Sequence, residues 1–393
     1  MTSPSSRLAG LDTLRAAAIA LVFMYHYMVF VSGTPTFGWA SEVGWVGVDL
    51  FFVLSGYLIA NPLFAGLARG AELSSWRFYA RRVLRTLPLF WLVLGAYLLF
   101  PAEMGGRTPP PAWRFLTFTQ NIGLTGGTAF SHAWSLCIEE QFYLVLPAVL
   151  VAGAALGRGR TSGWCAMGAL VALGIGARIV LWRAHGAYGQ EQDYMRHVYY
   201  STLCRFDEFL PGIAVAMVKN FHRPLWARLM ERGGRVLAAG AIATTILLAL
   251  AVRTYYVEGA GYGFFMTAFG YSLLAMAFAL LVIGALSPAT ILHRLRVPGA
   301  GRLALWSYAI YLSHKPLAHV LDAALTPHDA GAVVKVAVIT AACVAVGALL
   351  HRLVEAPFLA LRDRLVPSTF RPGAAPASPG LAAARDGAGA ISP

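Results

Sequence analysis

Polar residues along this chain interrupt long apolar runs and do not alternate with apolar neighbours. A helix needs about 20 apolar residues to cross a bilayer, and runs of roughly that length recur from Leu14 to Leu350. The pattern predicts ten spans, at 14–33, 45–62, 86–101, 134–155, 163–182, 201–218, 236–252, 264–286, 303–321 and 332–351. Clusters of Pro, Gly and charge separate them. Inside lipid a backbone must satisfy its own hydrogen bonds, so only helices or a closed barrel can span, and the missing strand-like alternation excludes a barrel. The expected fold is all-α, a polytopic transmembrane bundle of about ten helices. An integral membrane domain is expected over residues 1–366. A disordered cytoplasmic tail rich in Pro, Ala, Gly and Ser follows at 367–393. The first apolar run starts near Ala16 without a small-residue cleavage site, so it reads as a retained helix. No internal repeat is visible.

Composition excludes most soluble functions. Of 393 residues, 58% are hydrophobic and 12% are charged, about half the charged share of a soluble domain. The net charge of +13 would ordinarily suggest nucleic acid. Here the cations fall in the short gaps between spans, so the charge reads as topological and no nucleic-acid partner is expected. With the N-terminus cytoplasmic, the inner segments hold Arg7, Arg15, Arg69, Arg77, Arg81, Arg82 and Arg85. They also hold Arg158, Arg160, Lys219, Arg223, Arg228, Arg232 and Arg235, then Arg294, Arg296, Arg302, Arg352, Arg362, Arg364, Arg371 and Arg385. The outer loops hold only Arg107, Arg114, Arg183, Arg196 and Arg253. Both termini are therefore expected in the cytoplasm, in a multi-pass protein of the inner or plasma membrane. Arg178 and Lys335, near outer span ends, can snorkel to the interface. Cys137, Cys165, Cys204 and Cys343 show neither metal spacing nor a disulfide framework, and no metal is expected. The piece Trp113–Phe118 in the largest outer loop reads either as an interfacial anchor or as a plain surface loop.

Ionisable residues inside spans are costly and mark function or pairing. His26 lies in the first span, Asp49 in the second, and Glu139 and Glu140 in the fourth. Arg205, Asp207 and Glu208 lie in the sixth, and His314 and Lys315 in the ninth. His26 follows Arg15 by eleven residues, about 16 Å at 1.5 Å per residue, which places it near mid-membrane. The polar groups gather in the middle and outer half, and one shared cavity is expected. His26 reads either as a proton-transfer group with a carboxylate partner or as a hydrogen-bonded structural histidine. Glu139 reads as its helper or as an ion pair with Arg205, and Arg205 and Asp207 read as structural. Arg82 and Arg85 share a helical face and read as positive-inside anchors or as a clamp for a phosphorylated donor. No Gly-x-Ser-x-Gly elbow, Walker loop, His-x-x-x-x-Asp box or His-Glu-x-x-His motif is present.

Taken in order, several segments resemble the acyltransferase-3 family of integral membrane acyltransferases. They are Leu11–Ala16 followed by Tyr25-His26, Gly47–Ile59, and Arg82-Val-Leu-Arg85 with Pro88. His132-Ala-Trp134-Ser135-Leu136-Cys-Ile-Glu139-Glu140-Gln141-Phe142-Tyr143-Leu144, Arg205–Gly212, Ser307–Pro316 and Val354–Phe358 continue the series. The resemblance implies transfer of an acyl group, acetyl by default, from acyl-CoA to a hydroxyl of a sugar, glycan or small natural product. It implies catalytic roles for His26 and Glu139, with Asp49 as an alternative helper, and donor contacts for Arg15, Arg82 and Arg85. His314, Trp134 and Ser135 are the expected substrate contacts, and Ser55 and Ser135 are conceivable but unsupported nucleophiles. The expected partners are membrane lipids, acyl-CoA and the hydroxyl-bearing acceptor. Only a short tail follows the last span, where some members carry an esterase-like domain, so the chemistry is expected to finish within the bundle or with a separate partner for downstream transfer. The rival reading is a proton-coupled transporter or glycan flippase, in which the buried His and Glu groups form a proton relay. Such proteins often show paired repeats and broken helices.

Overall fold

The computed structural model of the chain describes residues 8–155, 159–186 and 191–371. Ten helices build the bundle among these residues. They are α1 (Ala9–Tyr27), α2 (Val46–Leu67), α3 (Ser75–Leu99), α4 (Trp134–Ala155), α5 (Arg160–His185), α6 (Leu210–Phe221), α7 (Gly233–Thr254), α8 (Tyr271–Leu286), α9 (Ala300–Leu325) and α10 (Ala332–Leu350). One antiparallel hairpin, Tyr256–Val257 against Gly261–Tyr262, links α7 to α8. Among the described residues, eight helical segments are long and apolar enough to cross a membrane. The protein is a polytopic all-α membrane protein.

The two expected spans outside those eight differ for physical reasons. Across 201–218 the chain makes one turn at Thr202–Arg205 and a tighter turn at Phe206–Phe209, then the 12-residue α6. The break accommodates Arg205, Asp207 and Glu208, all buried. α9 is 26 residues long but carries Arg302, His314, Lys315, His319 and Asp322, so its apolar character is diluted. Bundle depth varies: 67% of the Met266–Leu286 window and 56% of the Val46–Leu67 window are buried, against 11% for α5 and for α7. The central helices approach closely. A Cβ on Gly212 of α6 would lie 2.0 Å from the Val53 carbonyl of α2, and one on Gly56 would lie 2.2 Å from the Phe209 carbonyl. Only glycine permits that contact.

α3 starts at Ser75, not near residue 86, with the Ser74 side chain accepting from the Arg77 amide at 3.5 Å. Arg77, Arg81, Arg82 and Arg85 therefore ride on the helix and not in the gap before it. The first residues of the expected tail are also ordered. The Ser74 amide donates to the Thr369 carbonyl at 3.1 Å, the Arg371 amide to the Glu72 carbonyl at 3.0 Å, and Phe370 faces Gly66. Residues 372–393 lie outside the described residues, as do Arg7, Arg158 and Arg385.

Candidate active site

A cavity of about 530 Å³ lies between α1, α2, α3, α4, α9 and the helix continuing α10, within the range of small-molecule sites. Rungs between helices fix its axis. The Tyr79 hydroxyl donates to the Leu144 carbonyl at 2.8 Å, Arg82 lies 3.8 Å from Glu140, and the Tyr308 hydroxyl donates to the Thr86 carbonyl at 2.8 Å. Arg81, Arg362 and Thr369 line the end beside the docked 368–371 segment, and Ser135 and Tyr311 line it further along these rungs.

Three guanidiniums along this wall are incompletely partnered. Arg15 donates to Ser307 Oγ at 3.3 Å. Arg82 stacks 3.8 Å over the Tyr143 ring, and its buried Nε has no partner. Arg85 makes no hydrogen bond or ion pair among the described residues. Unpaired buried donors are costly, so a cluster of arginines left open around a cavity is a ready binding site for phosphate oxygens. The acidic side is occupied. Glu139 Oε1 accepts from Ser55 Oγ at 2.5 Å and from the Tyr143 hydroxyl. Glu355 pairs through Oε2 with His351 Nδ1 at 2.7 Å and leaves Oε1 unpartnered.

Beyond Ser135 and Tyr311 stand three histidines. Pro316 in α9 lacks the amide hydrogen that the Leu312 carbonyl would otherwise receive. That carbonyl instead accepts from His132 Nε2 at 3.2 Å. His314 Nδ1 faces two carbonyl oxygens, Ile310 at 3.0 Å and Tyr311 at 2.8 Å, so it carries the proton and Nε2 is a lone pair. His26 Nδ1 lies 2.7 Å from that Nε2 and therefore donates to it. In the neutral imidazole this leaves His26 Nε2 as the basic nitrogen, with no partner among the described residues. The His26 and His314 rings stack at 5.0 Å, with His132 edge-on at 6.2 Å and 5.4 Å. Lys315 completes the layer through Ser131 Oγ at 3.0 Å and the Phe30 ring at 4.4 Å. The Tyr311 hydroxyl donates to the His132 carbonyl at 2.5 Å and accepts from Ser135 Oγ at 2.7 Å, which separates this layer from the cavity.

The remaining buried charges form paired units, in which Asp49 Oδ2 is left without a hydrogen-bond partner. Arg205 donates to Asp49 Oδ1 at 2.5 Å, to both Glu208 oxygens and to the Tyr199 carbonyl at 3.4 Å, and it stacks 4.1 Å over Tyr271. Arg178 meets both Asp207 oxygens at 2.7 and 2.9 Å, Ser272 Oγ at 2.5 Å, and the Ala268 and Cys204 carbonyls.

The expected single cavity is thus two layers. Arg15, Arg82, Arg85, Glu139 and Ser135 line the cavity, while His26 and His314 share the layer beyond it. Asp49 does not join them. It is fully buried and bound to Arg205, so it is unavailable to a histidine. The partner that orients His26 is His314, not a carboxylate, and the partner of Arg205 is Asp49, not Glu139. Trp134 is 4% exposed and sits 5.2 Å from the Arg205 guanidinium, outside the cavity lining. Arg178 does not snorkel, because Asp207 holds it inside. The sequence reading assigned no role to His132, Tyr143, Tyr311, His351 or Glu355, all of which the structure brings to the two layers. His132, Tyr143, Tyr311 and Glu355 stood inside the quoted motifs, and the proline at 316 was the signal that a carbonyl needed a new donor.

Comparisons with known proteins place the chain in a family. The acyltransferase-3 family model, described as "Acyltransferase domain", matches residues 8–352. A Bacillus subtilis (strain 168) protein named "Putative peptidoglycan O-acetyltransferase YrhL" is 31% identical over 329 residues, 78% of this chain and 48% of its own length. The peptidoglycan O-acetyltransferase OatA of Listeria monocytogenes is 28% identical over 329 residues, 78% of this chain and 49% of its own. The O-acetyltransferase OatA of Staphylococcus aureus (strain NCTC 8325 / PS 47) is 35% identical over 159 residues, 36% of this chain and 24% of its own. The chain spans about half the length of the first two relatives. No solved structure matches it.

Proposed function

The chain belongs to the acyltransferase-3 family, and on that premise we propose that it is a membrane-embedded O-acyltransferase drawing an acyl group, acetyl by default, from acyl-CoA. The observation that carries this reading is the cavity walled by under-partnered Arg15, Arg82 and Arg85, which runs toward Tyr311 and the His26 layer. In this reading the cation-rich end is cytoplasmic, both termini are cytoplasmic and the membrane is the inner or plasma membrane. The phosphates of CoA engage Arg82 and Arg85, with Arg15 beside them, and the pantetheine arm runs past Glu139.

His26 Nε2 takes the proton of the acceptor hydroxyl, whose oxygen forms a bond to the thioester carbonyl carbon. The carbon–sulfur bond then breaks, and the departing CoA thiolate regains the proton from the imidazolium. His314 holds the His26 tautomer throughout. Tyr311 and Ser135 stand between donor and base, so the Tyr311 ring swings aside for transfer. Glu139 acts through Ser55 and Tyr143, which it fixes against the donor arm. The acceptor we propose is a sugar hydroxyl of a cell-envelope glycan. The names of the relatives favour peptidoglycan, and a separate partner can carry the product onward.

The test is acetyl transfer from labelled acetyl-CoA to cell-wall glycan fragments by membranes holding the protein, together with CoA binding to purified protein. Binding that falls on Arg82→Ala, and transfer that disappears on His26→Ala, are the expected results. A purified protein that ignores CoA would return the buried charges to the transport reading.

A further inference from the structure

Away from both layers, the end of α5 meets the segment that precedes α6. His185 from α5, Asp193, and His197 from the short helix Met195–Tyr199 converge there. His185 Nδ1 is 2.9 Å from Asp193 Oδ2, and His197 Nδ1 is 3.4 Å from Asp193 Oδ1. The two imidazoles lie face to face at 3.9 Å. One candidate ligand atom from each residue falls within 4.8 Å of the others. The side chains are between about a quarter and a half exposed, at 28%, 46% and 36%, so water and ions reach them. The remaining polar contact of the group is His197 Nδ1 to the Asp193 backbone carbonyl at 3.0 Å.

We propose that His185, Asp193 and His197 form a binding site for a divalent transition-metal ion, zinc by ligand chemistry. Two imidazoles and one carboxylate are a borderline donor set that zinc accepts in tetrahedral geometry, with water in the fourth position. Ligand atoms around tetrahedral zinc stand about 3.3 Å apart, given bonds of 2.0–2.1 Å. Closure therefore asks for shifts of an ångström or so and rotation of the stacked rings, which partial exposure permits. The ion displaces the bond from His197 Nδ1 to the Asp193 carbonyl.

The location gives the ion structural leverage. The Gly126 amide donates to Gln192 Oε1 at 3.1 Å, and Arg196 donates to Thr125 Oγ1 at 2.9 Å. These residues flank Asp193 and tie it to the loop that runs into Ser131-His132. A metal bridging His185 to Asp193 and His197 would clamp that loop to α5. The site does not depend on the acyltransferase reading.

The experiment is zinc titration of EDTA-stripped full-length protein in detergent, read by calorimetry and by metal content after desalting. Wild type should retain one zinc per chain and gain thermal stability with added zinc. His185→Gln and His197→Gln should each weaken binding by at least about tenfold. The double variant should lose both the ion and the zinc-dependent rise in Tm, while its zinc-free Tm equals that of wild type. Equal zinc loading of wild type and the double variant, or no loading of either, overturns the proposal. Repeating the titration with His26→Ala keeps the two readings apart, since that change should leave zinc binding intact.

Discussion

Arg205 and Arg85 are both arginines within the helical bundle, and their surroundings are opposite. Arg205 is fully buried and meets Asp49, Glu208 and a carbonyl, with the aromatic face of Tyr271 packed against it. Arg178 repeats that arrangement with Asp207, Ser272 and two carbonyls. Arg85 lines a cavity with Arg15 and Arg82 and makes no hydrogen bond or ion pair among the described residues, and Arg82 Nε beside it is unpartnered. Burying an ion pair consumes most of its own Coulomb energy in desolvation, so a cation paired in this way has few donors left to offer a ligand. An open arginine makes the fold no tighter, and its free donors await an anion. In the proposed function, ligand binding therefore follows unmet hydrogen-bonding capacity more closely than charge itself.

The contrast breaks most directly at Arg205. Removing one member of a buried ion pair costs about 3–5 kcal/mol, and here two buried carboxylates lose the cation they share. Arg205→Met should therefore deplete folded protein from membranes and lower its Tm in detergent, whatever ligand is present. Arg85→Met should leave yield and Tm near wild type. If Arg85→Met unfolds the protein as readily, the division between closed and open units fails.

His26 comes next. A general base contributes about 10²–10⁴-fold to rate, so His26→Ala should cut acetyl transfer by that factor in membranes with CoA affinity unchanged. A parallel loss of CoA binding would move His26 from the reacting end to the donor site. A third, smaller effect belongs to the clamp. A hydrogen bond to a charged group is worth about 1.5–3 kcal/mol, so Arg85→Ala should weaken CoA binding by roughly 10- to 100-fold. Arg85→Lys should recover only part of that loss, since an ammonium cannot fork onto phosphate. Equal affinity in all three proteins, read by calorimetry, would take the phosphates elsewhere.

The distinction between open and closed units was not legible in the sequence. Span positions were legible, because bilayer thickness dictates run length, and so were the identities of the cavity arginines. Asp49 and Glu139 look alike in one dimension, each an acid a few residues into an apolar run. What separates them is that Asp49 meets Arg205 across 156 residues of chain, while Glu139 meets Ser55 across 84. Hydropathy carries no information about such pairings. The broken sixth span was missed for a related reason. A continuous span over 201–218 keeps three ionisable residues in four positions inside one helix, whereas they bend the chain so that Arg205 and Asp207 can face different partners. The long start of α3 was missed because its arginines resemble a loop by composition.

Tyr143 offers the finest probe of the comparison, since it belongs to both kinds of surroundings. Its ring supports Arg82 at 3.8 Å, and its hydroxyl donates to Glu139. Tyr143→Phe keeps the ring under the guanidinium and removes the hydroxyl alone. A neutral hydrogen bond contributes about 1 kcal/mol, and somewhat more where the acceptor is charged. CoA affinity should therefore stay within about twofold of wild type, because the cation–π face persists. Acetyl transfer should fall by about 5- to 20-fold, because Glu139 then holds the donor arm through Ser55 alone. Calorimetry and initial rates on the same preparation separate the two quantities. Should affinity fall while the rate on saturating donor stays constant, Glu139 and Tyr143 belong with the phosphate clamp, and the open region is one binding surface without an inner reacting end.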